Sequence, residues 1–348
     1  MRTIYTVVLT LCILIPVRAQ EKSATRVYEN RLTPIKNAAP LLNDHPDYIE
    51  PIKTGPRFEA PILINDKEAD LDVRAWRFSY NARGIVEVPN RLQAKATAII
   101  VVHPWGVDDG QGWQSPEPAG AAFHCTPFKN KLTLKHMQDV VNPFLKAGRG
   151  SVGLVGYSLP YTRDPIRKKL YRSVGHQPSA AERKQGAKEL ADKLGSFAYK
   201  GQALPEKIVV SADKPVVDYF KQFPGLDATA KFNNAGFWEL PIPVAKPIEV
   251  AERDLAFYDG DGYPALRDYL KKQGIRHVLL AGYSTDMCVC STTAGYKNLR
   301  QDFNVFLVGD ATLATFPGHD TPRFATSAAV AFASIDLFIT QLSWVHFR

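Results

Sequence analysis

The sequence predicts a three-layer α/β/α domain with a central, mostly parallel sheet, carried behind a β-containing N-terminal extension. Three observations predict it. Short apolar runs typical of strands buried on both faces recur at residues 94–102, 151–157, 277–281 and 304–308. Helical patterns lie between them, at 263–273, where Leu266, Tyr269 and Leu270 share one stripe ahead of Gly274, and at 290–300. Strand alternating with helix is the pattern of a parallel sheet covered on both faces. The composition agrees, since 45% hydrophobic and 22% charged residues exclude a disordered chain, while 25 prolines against 23 glycines point to long, ordered loops. No fixed repeat or long heptad run supports a solenoid or coiled coil.

Taken in order, residues 1–19 read as a secretory signal peptide. Arg2 precedes an apolar run of about 13 residues, too short to span a membrane, and small side chains before Gln20 favour cleavage after Ala19. Residues 20–93 are proline-rich and polar with short alternating segments such as Pro61 to Ile64 and Val73 to Phe78, which predicts an extension with a few strands that packs on the main domain. Residues 94–348 form that domain. From about 160 to 247 the strand and helix rhythm is broken by a charged helix at 180–194 and by aromatic, proline-rich loops, an insertion expected to roof one end of the sheet.

The formal charge is +8 and drops by two once Arg2 and Arg18 leave with the signal. The basic residues are spread, apart from a cluster at Arg163, Arg167, Lys168, Lys169 and Arg172, so a solvated helix face is expected rather than a nucleic-acid surface. An exported chain keeping Cys125, Cys288 and Cys290 cannot pair all three, which leaves at least one thiol to explain.

The strongest chemical signal is the passage from His277 through Gly282, Tyr283, Ser284, Thr285, Asp286 and Met287 to Cys288. A buried strand enters a tight polar turn, and a cysteine opens a helix, where unpaired first-turn amides and the helix dipole favour a thiolate. Gly282, Thr285, Cys288, Val289, Thr293 and Ala294 together resemble the signature of the isochorismatase-like cysteine hydrolases, nicotinamidases included. Residues 304–311 resemble that family's next strand and residues 94–102 its first. The resemblance covers roughly 94–160 and 248–342. It implies a triad of an aspartate after the first strand, a lysine on a middle strand and the cysteine. It also implies a cis peptide between Tyr283 and Ser284, and an oxyanion hole from the amides of Ser284 and Cys288.

The chain departs from the pattern at both partners of the cysteine. His103 stands where the aspartate belongs, and Glu252 falls near the lysine's place. One reading makes His103 the base for Cys288, with Glu252, Asp108 or Asp109 orienting the imidazole. In that reading activity rises through a pKa of about 6 to 7. The other reading is a catalytically silent ligand-binding member of the same fold. Trp105, Asp109 and Tyr283 are the candidate substrate contacts. The metal ligands of nicotinamidases are not found, and Tyr157 to Asp164 occupies that region, so neither a metal nor another cofactor is expected. A rival fold is a serine α/β-hydrolase with Ser158 as nucleophile, although Pro160 takes the place of the second glycine of the elbow. The expectation is therefore an exported hydrolase that cleaves an amide or other C–N bond of a small-molecule substrate. Nucleic acid and stable membrane insertion are not expected, and a homo-oligomer is left open.

Overall fold

The computed structural model describes residues 25–105, 127–196, 206–221, 240–315 and 344–345. The signal segment 1–19, Asp108, Asp109 and Cys125 lie outside them. Among the described residues one sheet is built from β1 (Thr33–Pro34), β2 (Arg57–Glu59), β3 (Leu71–Ser79), β4 (Gly84–Leu92), β5 (Thr97–Val102), β6 (Leu154–Leu159), β7 (Leu255–Tyr258), β8 (His277–Tyr283), β9 (Asn304–Leu313) and β10 (Trp344–Val345). Their spatial order is β1-β2-β4-β3-β10-β9-β8-β5-β6-β7. All pairings from β10 to β7 are parallel.

Every residue of β5, β6, β7 and β8 is buried. Strands with both faces covered need an apolar or satisfied side chain at each position, hence continuous runs such as Ala98 to Val102 rather than alternation. The helices are α1 (Pro127–His136), α2 (Asn142–Arg149), α3 (Pro165–Leu170), α4 (Ala180–Gly195), α5 (Pro215–Phe220), α6 (Gly262–Lys272), α7 (Cys288–Ser291) and α8 (Tyr296–Leu299). A π turn at Met137–Val141 joins α1 to α2 without a break. No helix among the described residues is long and apolar enough to cross a membrane.

The three-layer α/β fold expected from the sequence is the fold observed, with differences at the element ends. The helix expected over 290–300 is two short helices. Between them Thr292 is extended, its hydroxyl donates to the Cys288 carbonyl at 2.8 Å, and its own carbonyl accepts from Asn298 Nδ2 at 2.9 Å. Local side-chain bonds of this kind compete with the helical ladder. The run at 94–102 begins as a 3-10 turn at Ala94–Ala96 and becomes a strand only at Thr97.

The extension does not form a separate layer. Its β3 and β4 make an antiparallel hairpin, and β3 pairs antiparallel with β10, so the extension prolongs the sheet. Glu87 on β4 is buried and ion-paired with both Arg57 and Arg74, which neutralises an otherwise costly carboxylate. Leu41, Leu42, Tyr48 and Ile49 join the same hydrophobic core as the central strands. In the insertion, α4 starts on a capping box in which Ser179 and Glu182 satisfy each other's backbone amides. Leu190 and Leu194 of α4 form a second small core with Leu240, Ile242 and Trp105. Buried Arg167 fastens the insertion to the end of β6 by donating to the carbonyls of Pro160 at 3.0 Å and Thr162 at 2.5 Å.

At the β5/β8 border Gly282 has a φ of 112°, and a Cβ there would meet the Val102 carbonyl oxygen at 2.1 Å. Both the backbone angle and the space exclude a side chain. Gly282→Ala is expected to lower stability by at least about 2 kcal/mol in urea unfolding; a variant with the parent's midpoint would contradict this packing.

Candidate active site

Parallel strands end on the same side of a sheet. From β5 the chain steps outward through β6 to β7, then returns to the other side of β5 and steps outward again through β8, β9 and β10. The crevice at such a reversal, beyond the carboxyl ends of the strands, is where open α/β sheets bind ligands. His103 directly follows β5, Asp259 directly follows β7, and the turn from Ser284 to Met287 follows β8 and delivers Cys288.

These three side chains come together. His103 Nε2 donates to Asp259 Oδ2 at 2.8 Å. That bond fixes the tautomer, because a carboxylate oxygen only accepts, and leaves Nδ1 for the thiol. Nδ1 has no well-aligned hydrogen-bond partner among the described residues, yet the Cys288 sulfur is near enough to act strongly on the ring. Burial, the largest influence, pushes the imidazole pKa down, but the Cys288 sulfur and the Asp259 carboxylate together outweigh it and raise it from 6.5 to about 9. His103 is therefore an imidazolium at neutral pH rather than the free base with a pKa of 6 to 7 anticipated from the sequence.

The backbone around His103 is unusual. Its φ is 46°, a left-handed value uncommon outside glycine. It is held there by its own N–H donating to the Ser158 carbonyl at 2.9 Å and by its carbonyl accepting from the Trp105 N–H at 2.9 Å. Asp259 is fixed as firmly. Its Oδ1 accepts from the Ser158 hydroxyl at 3.3 Å, and its carbonyl accepts from the Thr293 hydroxyl at 3.0 Å.

On the nucleophile side, the Tyr283–Ser284 peptide is cis, as the resemblance implies. The turn is pinned by Thr285 N–H to the Leu313 carbonyl at 2.9 Å, by the paired hydroxyls of Thr285 and Thr312 at 2.7 Å, and by Thr315 N–H to Asp286 Oδ1 at 2.9 Å. The Ser284 carbonyl accepts from Met287 and Val289, while the amides of Ser284 and Cys288 donate to no carbonyl among the described residues. Because α7 is a single turn, its dipole is small, and the imidazolium of His103 is the positive charge that the sulfur meets.

The other sequence candidates fall elsewhere. Glu252 lies before β7, at the opposite end of the strand from Asp259, with its exposed side chain 3.7 Å from Arg183, so it does not orient His103. Trp105 is fully buried in the insertion's core rather than open to a ligand. Tyr283 is also buried, and its hydroxyl donates to His136 Nδ1 at 2.6 Å. His136 Nε2 in turn donates to the Asp310 carbonyl at 2.7 Å, and burial pushes its pKa down to about 3, which keeps it neutral in this clamp. Ser158 sits within β6 with its hydroxyl turned to Asp259, not at a strand-to-helix elbow, so the serine-hydrolase geometry is absent there. Cys290 donates its thiol proton to the Thr285 carbonyl at 2.9 Å and is buried. Asp108 and Asp109 lie outside the described residues. No three His, Cys, Asp or Glu side chains among the described residues form a metal-ligand set.

Asp259 was missed from the sequence, although a signal was present. It is the first polar residue after the apolar run Leu255 to Tyr258, and the residue just past a parallel strand's carboxyl end is where chemistry is expected.

Residues 252–333 match the family model described as the Isochorismatase domain, which takes in Asp259 and Cys288 but not His103. No curated protein matches the chain. Among solved structures, the cysteine hydrolase from Pseudomonas syringae pv. phaseolicola is 15% identical, over 71% of this chain and 87% of that one, with a TM-score of 0.34. The pyrazinamidase of Pyrococcus horikoshii in complex with zinc is 14% identical, over 72% and 99%, with a TM-score of 0.35. The nicotinamidase from Staphylococcus aureus is 11% identical, over 70% and 96%, with a TM-score of 0.32. Likenesses of this size do not bear on activity.

The raised pKa of His103 has a definite sign. The interactions that favour its charged form are fully present below about pH 6.5 and are lost as pH rises through about 9. An NMR titration of the ring is expected to show a midpoint near 9, and Cys288→Ala, which removes one of the two raising groups, is expected to lower it. A wild-type midpoint at or below the ordinary value would contradict the arrangement.

Proposed function

We propose that the protein is a hydrolase that cleaves an amide or other C–N bond of a small molecule, with Cys288 as nucleophile, His103 as acid and base, and Asp259 as the carboxylate that orients His103. The observation that carries this reading is the position of His103 between the Asp259 carboxylate and the Cys288 sulfur. The match of residues 252–333 to the Isochorismatase domain supports a hydrolase in coarse terms.

In this reading the thiol proton rests on His103, and the Cys288 thiolate attacks the substrate carbonyl carbon. The developing oxyanion is met by the amides of Ser284 and Cys288. As the C–N bond breaks, the His103 imidazolium gives its proton to the departing amine, leaving an acyl-thioester on Cys288 and a neutral ring. That ring then takes a proton from water while the hydroxide attacks the thioester. The acid departs, and thiolate and imidazolium are restored. Asp259 keeps the ring in the tautomer that presents Nδ1 to the sulfur and stabilises its charged form.

Export is part of the proposal and is supported by the charged and apolar pattern of residues 1–19. N-terminal sequencing of the protein recovered from the producing cell is expected to begin at Gln20; a retained Met1 in a soluble, active protein would remove this part.

The thiol chemistry is tested without knowing the substrate. Iodoacetamide at pH 7 is expected to label Cys288 much faster than Cys290, whose thiol is engaged with Thr285, as read by intact mass and peptide mapping. Once a substrate is identified from an amide panel, His103→Ala is expected to lower turnover by about two or more orders of magnitude. Wild-type activity should decline above about pH 9, where the imidazolium acid is lost. An unlabelled Cys288, or full turnover in His103→Ala, would overturn the mechanism.

A further inference from the structure

Ser158 touches both partners of the cysteine. Its hydroxyl donates to Asp259 Oδ1 at 3.3 Å, and its carbonyl accepts the His103 N–H at 2.9 Å. The strand register makes this double contact natural. Ser158 on β6 lies between Val102 on β5 and Phe257 on β7, so the residues that follow those strands reach over it from either side. It is almost wholly buried, so water does not compete for its hydroxyl.

We infer that Ser158 is a positioning residue of the candidate site, which holds the Asp259 carboxylate in the orientation that supports the His103 imidazolium. The inference rests on the reading of Cys288, His103 and Asp259 given above. A carboxylate bonded only through Oδ2 can rotate about its terminal torsion, which is soft and broadly populated. With Oδ1 held by Ser158, Oδ2 stays directed at His103 Nε2. The main-chain bond from His103 to Ser158 fixes the other end, and at a φ of 46° that segment has few alternatives. The Ser158 hydroxyl thus acts on the sulfur only through two other groups. It does not touch the reacting atoms.

The test uses the full-length protein and iodoacetamide, a small neutral probe that reports thiolate at Cys288 whether or not a substrate is known. The quantity read is the alkylation rate of Cys288 at pH 6.5 relative to that at pH 9.5. The wild type is expected to remain reactive at pH 6.5. Ser158→Ala is expected to lose about three- to tenfold of its rate at pH 6.5, as suits one modest hydrogen bond, and to stay within about twofold at pH 9.5, where an ordinary thiol ionises without help. Ser158→Thr, which keeps the hydroxyl, should restore the pH 6.5 rate, and Asp259→Asn should reproduce or exceed the loss. A structural role alone would lower the melting temperature of Ser158→Ala and leave the rate ratio as in the wild type, and that result overturns the inference. The control is His103→Ala. If its ratio is altered while that of Ser158→Ala is not, only the role of Ser158 fails. If the ratio of His103→Ala is itself that of the wild type, the coupling of Cys288 to His103 fails and the inference falls with it.

Discussion

The reversal of strand order on either side of β5 is the constraint on which the rest of the molecule depends. It brings the carboxyl ends of β5, β7 and β8 around one crevice, so three residues scattered over the sequence, His103, Asp259 and Cys288, meet without any of their loops having to travel far. Each of them directly follows a strand or a short turn from one, and a strand in a close-packed sheet is a rigid support. The price is visible in the backbone: His103 is left-handed, and Gly282, where β8 passes β5, has no room for a side chain.

The electrostatics then follow from burial. A lone buried histidine is driven toward its neutral form, which is the fate of His136, bonded to a tyrosine hydroxyl and a carbonyl. His103 is equally enclosed, but it meets a carboxylate and a sulfur, and its pKa moves the other way. The resemblance to isochorismatase-like hydrolases implies an acidic group after the first strand and a basic one from the middle strands. Here the basic group follows β5 and the acidic group follows β7. His103 and Asp259 thus give Cys288 one basic and one acidic group in its surroundings.

Much of the fold was legible because its signal is local. Runs such as Ala98 to Val102 and His277 to Ala281 are apolar at every position because both faces are covered, and α6 ends where Gly274 adopts a φ of 75°. The cysteine turn was legible from a compact cluster of small and polar residues between Gly282 and Ala294. What escaped the sequence was tertiary. Asp259 and Glu252 are seven residues apart and chemically similar, and only strand direction separates the end at the crevice from the end away from it. Trp105 and Tyr283 are equally ambiguous in sequence, since an aromatic beside a site and an aromatic beneath it read alike. Their burial is decided by α4 in one case and by His136 in the other. The break at Thr292 depends on side-chain bonds that a helical period does not register.

The placement of β10 has a consequence for how the chain assembles. β10 sits between β9 and β3, although it is encoded more than two hundred residues after the hairpin that it anchors. During synthesis from the N-terminus, β3 and β4 can zip together early, since a short turn joins them, but the seat that receives β3 does not exist until residues 344 and 345 have emerged. Until then β3 carries an open edge of unpaired amides and carbonyls, the feature by which a nascent strand recruits a wrong neighbour. The exposed charges Asp72 and Arg74 on that strand are of the kind that discourages such pairing.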